Sequence, residues 1–158
     1  MENESPIGFY LDKTLKKIQS VYLEAFRQHG IDLTLEQWVI LERIANLGDN
    51  ASQSKITELG FRNRATTSRV ITGLENRGLI KRTRFEGDMK RFKLSISEDG
   101  WNLIKKVTPF NKELRAIGYQ GLSENEINSL ITILERLWDS YDQVEHKKNG
   151  LPEASHSQ

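Results

Sequence analysis

The chain has no cysteine. Disulfides, thiolate metal sites and cysteine redox sensing are therefore excluded within it, and the lack of thiols agrees with a reducing compartment. Histidine is nearly as scarce. The three, at 29, 146 and 156, lie far apart in sequence, so a metal centre would need carboxylate help and none is expected. No apolar run approaches the roughly 20 residues that cross a bilayer. The acidic start, Met1 to Ser5, also lacks the basic and apolar regions of a signal peptide. A cytoplasmic, soluble globular chain of about one domain is the expectation from 158 residues, 37% apolar and 28% charged. Also missing are a glycine-rich phosphate loop, a nucleophile elbow and metal ligands at helical spacing, so no enzyme and no cofactor is expected.

What is present is an uneven distribution of charge. The total is only +1, but between Phe61 and Lys93 ten basic residues face three acidic ones, leaving +7 there and −6 on the rest. A basic block of this kind points to a polyanionic partner. The alternative is a charged face that meets only solvent.

Hydrophobic periodicity places the block. Leu11, Leu15, Ile18, Tyr22 and Phe26 recur every three or four residues, which predicts a helix over 8–29 stopped by Gly30. Thr34 and Gln37 have capping-box spacing, with Leu33 and Trp38 at the staple positions, for a second helix to about 47. Ser52 can cap a third helix over 53–59 and Asn63 a fourth over 64–77, closed by Gly60 and Gly78. From Leu79 the period changes to two, with Gly87-Asp88 at a turn, so 79–96 reads as a hairpin. Ser97 caps a fifth helix to about 117, with a kink predicted at Pro109. Ser123 and Glu126 open a sixth over 124–145, with Leu122 and Ile127 at its staple positions.

Helix, helix, helix-turn-helix, hairpin, helix, helix is the order of a winged helix-turn-helix, a mainly α (α+β) fold. The basic block falls on its second turn-motif helix and on the wing. Setting Thr67, Ile71 and Leu74 inward at 100° per residue leaves Ala65, Arg69, Thr72 and Asn76 outward, with Ser68 and Gly73 flanking. Such a helix enters the major groove. Arg69 can bond two acceptors on a guanine edge; otherwise it is a surface residue paired with phosphate or with Glu75. Arg62 and Arg64, beside the helix start, suit phosphate. Gly73 fits either a close approach to DNA or simple helix packing. Lys90 and Arg91 at the hairpin tip can reach a minor groove or stand in solvent, and Asp88 reads as the structural partner of a nearby arginine.

These residues resemble a family. Thr66-Thr67-Ser68-Arg69, then Leu74-Glu75-Asn76-Arg77-Gly78-Leu79-Ile80-Lys81-Arg82, then Asp88-Met89-Lys90 and Ile96-Ser97-Glu98-Asp99-Gly100, look like the signature of the multiple antibiotic resistance regulator (MarR) family, with the resemblance extending over about 8–145. It implies a homodimeric transcriptional regulator whose helices at 8–30 and 98–145 form a dimerisation domain around a DNA-binding domain at 34–97; a repressor is the expectation, with an activator as the alternative. An N-terminal extension at 1–7 and a disordered tail at 146–158 complete the division. By motif position, Thr66, Ser68, Arg69 and Thr72 would join Arg62, Arg64, Lys90 and Arg91 at double-stranded DNA, and Arg82 with Asp88 would brace the wing. Two departures are Lys90, with Arg91 one place later, where the wing tip usually carries arginine, and Ser97 in place of threonine.

Apolar stripes at opposite chain ends independently favour a homodimer, and a dimer predicts a pseudo-palindromic site. The resemblance further implies a small aromatic or anionic effector. Tyr22, Phe26, His29 and Trp38 are the candidate pocket, although aromatic residues at helical spacing equally suit a core. The competing function is a winged-helix module whose basic face meets an acidic protein.

Overall fold

The computed structural model describes residues 6–59, 63–85 and 87–146, leaving aside the side chains of 88–91, 145 and 146. Six α-helices and one antiparallel hairpin follow in the expected order: α1 (Ile7–Gln28), α2 (Leu35–Leu47), α3 (Gln53–Glu58), α4 (Arg64–Asn76), β1 (Ile80–Phe85), β2 (Asp88–Ile96), α5 (Glu98–Gly118) and α6 (Glu124–His146). A 3-10 turn, Gly48–Asn50, follows α2. The chain forms two compact units, Met1–Leu114 and Arg115–Gln158, divided within α5. The tail assigned from 146 lies, from 147 onward, outside the described residues, as does the closing role of Gly60.

Local chemistry fixes the helix ends. Thr34 Oγ1 accepts from Gln37 N at 3.1 Å, while Gln37 Oε1 accepts from Thr34 N at 3.1 Å, so both arms of the first capping box form. At α6, Ser123 N donates to Glu126 Oε2 at 2.7 Å and Glu126 N donates to Ser123 Oγ at 3.3 Å. These bonds satisfy amides that have no partner within a helix. The Ser123 amide and hydroxyl together hold the Glu126 carboxyl below the usual range, the amide acting more strongly. Helix α5 continues through Pro109, and Thr108 Oγ1 donates to Ile104 O at 2.7 Å just before it.

The first unit contains the core. Phe26 from α1, Trp38, Ile40, Leu41 and Ile44 from α2, Ile56 from α3, Val70, Ile71 and Leu74 from α4, Ile80 and Leu94 from the hairpin, and Val107 and Phe110 from α5 are all buried. Each large aliphatic chain removed from water contributes about 1.5–3 kcal/mol, so the turn motif and wing are held by a shared interior. Leu33 and Trp38, the expected staple pair, are both part of it.

The hairpin pairs Ile80 with Ile96, Arg82 with Leu94 and Arg84 with Phe92, and its register breaks next to Phe85. Leu94 N donates to Ala51 O at 2.9 Å, and an isolated bridge joins Ser52 to Lys93, so the wing is anchored to the segment before α3. Gly87 turns the chain at φ +79°, a conformation side chains resist.

Gly100 shows why the base of the wing and the start of α5 meet so closely. A Cβ there would lie 2.2 Å from Leu79 O and 2.7 Å from Ile96 Cγ2. The contact is locked by Ser97, whose N donates to Leu79 O at 3.0 Å and whose Oγ donates to Gly78 O at 2.6 Å and accepts from Gly100 N at 3.0 Å.

Candidate nucleic-acid interface

Two side chains set the turn motif. Ser52 Oγ accepts from Lys55 N at 3.2 Å to start α3, and Asn63 Oδ1 accepts from Thr66 N at 2.9 Å to start α4. The first bond along α4, Thr67 N to Asn63 O, leaves the amides of Arg64 and Ala65 outside the helical ladder. The positive end of the helix dipole therefore lies beside the exposed Arg64.

The two sides of α4 differ sharply. Thr67, Val70, Ile71 and Leu74 are buried. Ala65, Arg69, Thr72 and Asn76 are exposed along the opposite face, and Thr66 and Ser68 are partly exposed at its edges. A face of small and polar residues with one long cation lets the helix approach a groove without steric obstruction. Gly73 is not part of the approach: a Cβ there would meet Gln37 Nε2 of α2 at 3.3 Å. The structure thus favours helix packing over close DNA approach for this glycine.

Several cations of the basic block are tied into the framework. Arg77, at the end of α4, bonds to Asp32 O and, at 3.0 Å, to Asp32 Oδ2, joining the helix to the α1–α2 turn. Lys93 Nζ lies 2.5 Å from Asp49 Oδ1, which lowers the pKa of that carboxyl chiefly through the hydrogen bond. Arg82 reaches across to α4, with Nη2 donating to Thr72 Oγ1 at 2.8 Å and Nε lying 2.8 Å from Glu75 Oε2. The Glu75 contact is an ion pair by distance, without aligned hydrogen-bond geometry.

Glu75 is thus paired with Arg82 rather than Arg69. Positions 69 and 75, six residues apart, lie about 120° from one another around a helix. Among the described residues Arg69 has neither an ion pair nor a hydrogen bond. The partnership of Arg82 with Glu75 and Thr72 was missed in the sequence because it depends on how the hairpin lies against α4. Arg62, and the side chains of Asp88, Lys90 and Arg91, lie outside the described residues, so the Arg82–Asp88 brace and the wing-tip contacts do too.

Beneath the wing is a cleft of about 430 Å³ bordered by Ser54, Thr57, Arg64, Arg82 and Phe92. The Arg84 guanidinium sits 5.7 Å from the Phe92 ring centre. A second, shallower cleft of about 390 Å³ is bordered by Asp32, Arg77, Asp99, Asn102 and Lys106.

None of the candidate effector residues borders either cleft. Phe26 packs edge-on against Trp38 and Phe110, with ring centres 6.2 and 5.9 Å apart, and both Phe26 and Trp38 are buried. His29 stacks on Phe110 at 4.3 Å, and Tyr22 is partly buried. Among the described residues no three His, Asp or Glu side chains gather as a metal site would require. No described helix is long and apolar enough to cross a membrane.

A capped helix-turn-helix with a basic outer face, followed by a hairpin packed against its second helix, defines a winged helix-turn-helix protein. Residues 33–92 match the model of the MarR family. A MarR family transcriptional regulator from Listeria monocytogenes, solved with a 26mer DNA, is 24% identical, with 95% of this chain and 99% of that one covered at a TM-score of 0.78. A transcriptional regulator from Pseudomonas aeruginosa is 27% identical over 85% of this chain and 98% of that one, at 0.70. BpsR of Bordetella bronchiseptica, whose DNA binding is regulated by 6-hydroxynicotinic acid, is 22% identical over 84% and 98%, at 0.67. Residues 33–92 are thus similar to the MarR family, and the chain shares the winged-helix fold of solved transcriptional regulators.

Proposed function

We propose that the chain acts as a homodimeric repressor that reads a pseudo-palindromic operator in double-stranded DNA and is released by a small aromatic or anionic effector. The observation carrying the DNA reading is the polarity of α4. Its apolar side is committed to the core, and its outer side offers Ala65, Arg69, Thr72 and Asn76 within the +7 block. Arg69 reads a base, and Thr66, Ser68 and Thr72 supply shorter contacts. Arg62 and Arg64 hold phosphate at the helix start, while Lys90 and Arg91 approach the adjacent minor groove. The complex of the Listeria protein with DNA supports this reading by likeness of fold.

The second copy follows from exposed apolar surface. Along α1, Ile7, Phe9, Leu11, Leu15 and Ile18 are exposed; along α6, Leu130, Ile131, Leu134, Trp138 and Tyr141 are. Large apolar surfaces of this kind mark association sites, and two copies give two recognition helices. Half-sites then lie about one helical turn, roughly 10 bp, apart.

An effector acts by favouring a dimer geometry in which the two helices no longer match that spacing. Tyr22, Phe26, His29 and Trp38 are its candidate contacts. The named regulator of BpsR is a small aromatic acid, which supports the effector class.

Mobility shifts at varied salt, together with selection from random DNA, test the function. The expected result is a two-fold symmetric site whose affinity falls steeply with salt. Capture of an acidic protein with no DNA shift would instead favour the interaction-module reading.

A further inference from the structure

Thr72 uses its hydroxyl differently from four other hydroxyl residues inside helices. Thr57, Thr108, Thr132 and Ser140 each donate their hydroxyl hydrogen to the carbonyl four residues earlier, at 2.9, 2.7, 3.0 and 2.8 Å. Thr72 makes no such bond to Ser68. Its Oγ1 instead accepts from Arg82 Nη2 at 2.8 Å. A hydroxyl carries one hydrogen and two acceptor sites. The guanidinium occupies an acceptor side, and its charge turns the positive O–H hydrogen away. Because Thr72 is exposed on the outer face of α4, that hydrogen is available to a ligand on this face.

Arg82 is itself held in place. Its Nε lies 2.8 Å from Glu75 Oε2, one helical turn beyond Thr72, so one guanidinium spans both residues of α4. The cation is only 21% exposed, which reduces the screening of its field at the hydroxyl. An unconstrained threonine can either donate or accept. One oriented by a fixed cation is biased toward donating.

We propose that Arg82, anchored by Glu75, orients Thr72 as a hydrogen-bond donor that reads an acceptor on a base edge in the major groove. The inference rests on α4 being the recognition helix. The acceptors available are guanine N7 and O6, adenine N7 and thymine O4; the amino groups of cytosine and adenine, which are donors, are disfavoured. Thr72 is therefore a specificity residue and Arg82 its positioning residue, so the wing contributes to base choice through a contact it makes with the protein.

The test uses the full chain and a site selected from random DNA, with all four base pairs placed in turn at each position of one half-site. T72V removes the hydroxyl with little change in shape. It is expected to lower affinity for the selected site about 10-fold and to flatten preference at one position, leaving non-specific DNA affinity unchanged. T72S is expected to keep the wild-type preference. R82M is expected to broaden that same position, admitting base pairs that present an amino donor, with preferences elsewhere retained.

A T72V loss that is equal on every sequence would mean phosphate contact and overturn the proposal. So would T72V preferences matching wild type, or broadening by R82M at other positions only. Should R82M fail to fold, the exposed T72V and T72S pair still decides the outcome. A wild-type chain that selects no sequence overturns the DNA reading itself, whereas normal selection with an indifferent Thr72 overturns this inference alone.

Discussion

Replacing Gly100 with alanine should destabilise the winged helix by about 2–4 kcal/mol, although alanine is the better helix former. The added Cβ would sit 2.2 Å from Leu79 O and 2.7 Å from Ile96 Cγ2. Optimal non-bonded separations are about 3.5 Å, so the first turn of α5 must retreat by roughly 1 Å. The closer neighbour is a backbone carbonyl, which cannot rotate aside. Retreat strains the Ser97 N to Leu79 O bond and the Ser97 cap on Gly100 N, each worth about 1 kcal/mol. Overpacking of a tight contact adds about 1–3 kcal/mol. Helix propensity returns about 1 kcal/mol, which gives the stated net effect. Urea unfolding followed by circular dichroism measures it, and a fall in melting temperature of roughly 5–10 °C should accompany it. Gly8→Ala is the control: nothing lies within 4 Å of its added Cβ, and it should change stability by less than about 1 kcal/mol in the favourable direction. A Gly100→Ala chain as stable as wild type would refute the packing argument for this glycine.

Arg69→Ala should reduce specific affinity by about 1–3 kcal/mol and relax preference at one base position per half-site, whereas Arg64→Ala should weaken all sequences alike; anisotropy titrations on specific and scrambled duplexes separate the two. Gly73→Ala should shift stability by no more than about 1 kcal/mol, because the Gln37 amide can yield to the new methyl group, and operator affinity should stay at the wild-type level; a selective loss of DNA affinity would restore close DNA approach as its role. Acidification should loosen the start of α6. The Glu126 carboxyl titrates below its unfolded value, so its stabilising contribution is complete above the unfolded value, about 4.3, and is lost as pH falls through the lower folded one. The Ser123 amide resonance followed against pH reports this, and Glu126→Gln should abolish the dependence in that range.

Much of the fold can be read in the residues because its signals are local. Thr34 with Gln37, Ser52, Asn63 and Ser123 with Glu126 all cap helices at the residues where their spacing predicts, since a cap depends on three or four neighbouring positions. The buried and exposed sides of α4 likewise follow from a single periodicity. What could not be read depends on how elements lie against each other. Arg82 is ten residues from Thr72 and on a different element, and only the placement of the hairpin brings them within 2.8 Å. Gly100 looked like part of a motif, but its purpose lies in the backbone of Leu79. Gly73 was ambiguous for the same reason: the residue deciding its role, Gln37, is on another helix. The aromatic residues Phe26, His29 and Trp38 have helical spacing compatible with pocket or core; in the structure Phe26 packs against Trp38 and Phe110, and His29 stacks on Phe110.

The most direct test of the central claim is the ratio of affinities for a selected operator and for a scrambled duplex of equal length, measured by fluorescence anisotropy at one physiological salt concentration. A protein that reads sequence through α4 should bind its operator at least about 10³-fold more tightly, and Arg69→Ala should reduce that ratio while leaving the scrambled-duplex affinity nearly unchanged. Equal affinities for the two duplexes, unaffected by the loss of Arg69, would contradict the account.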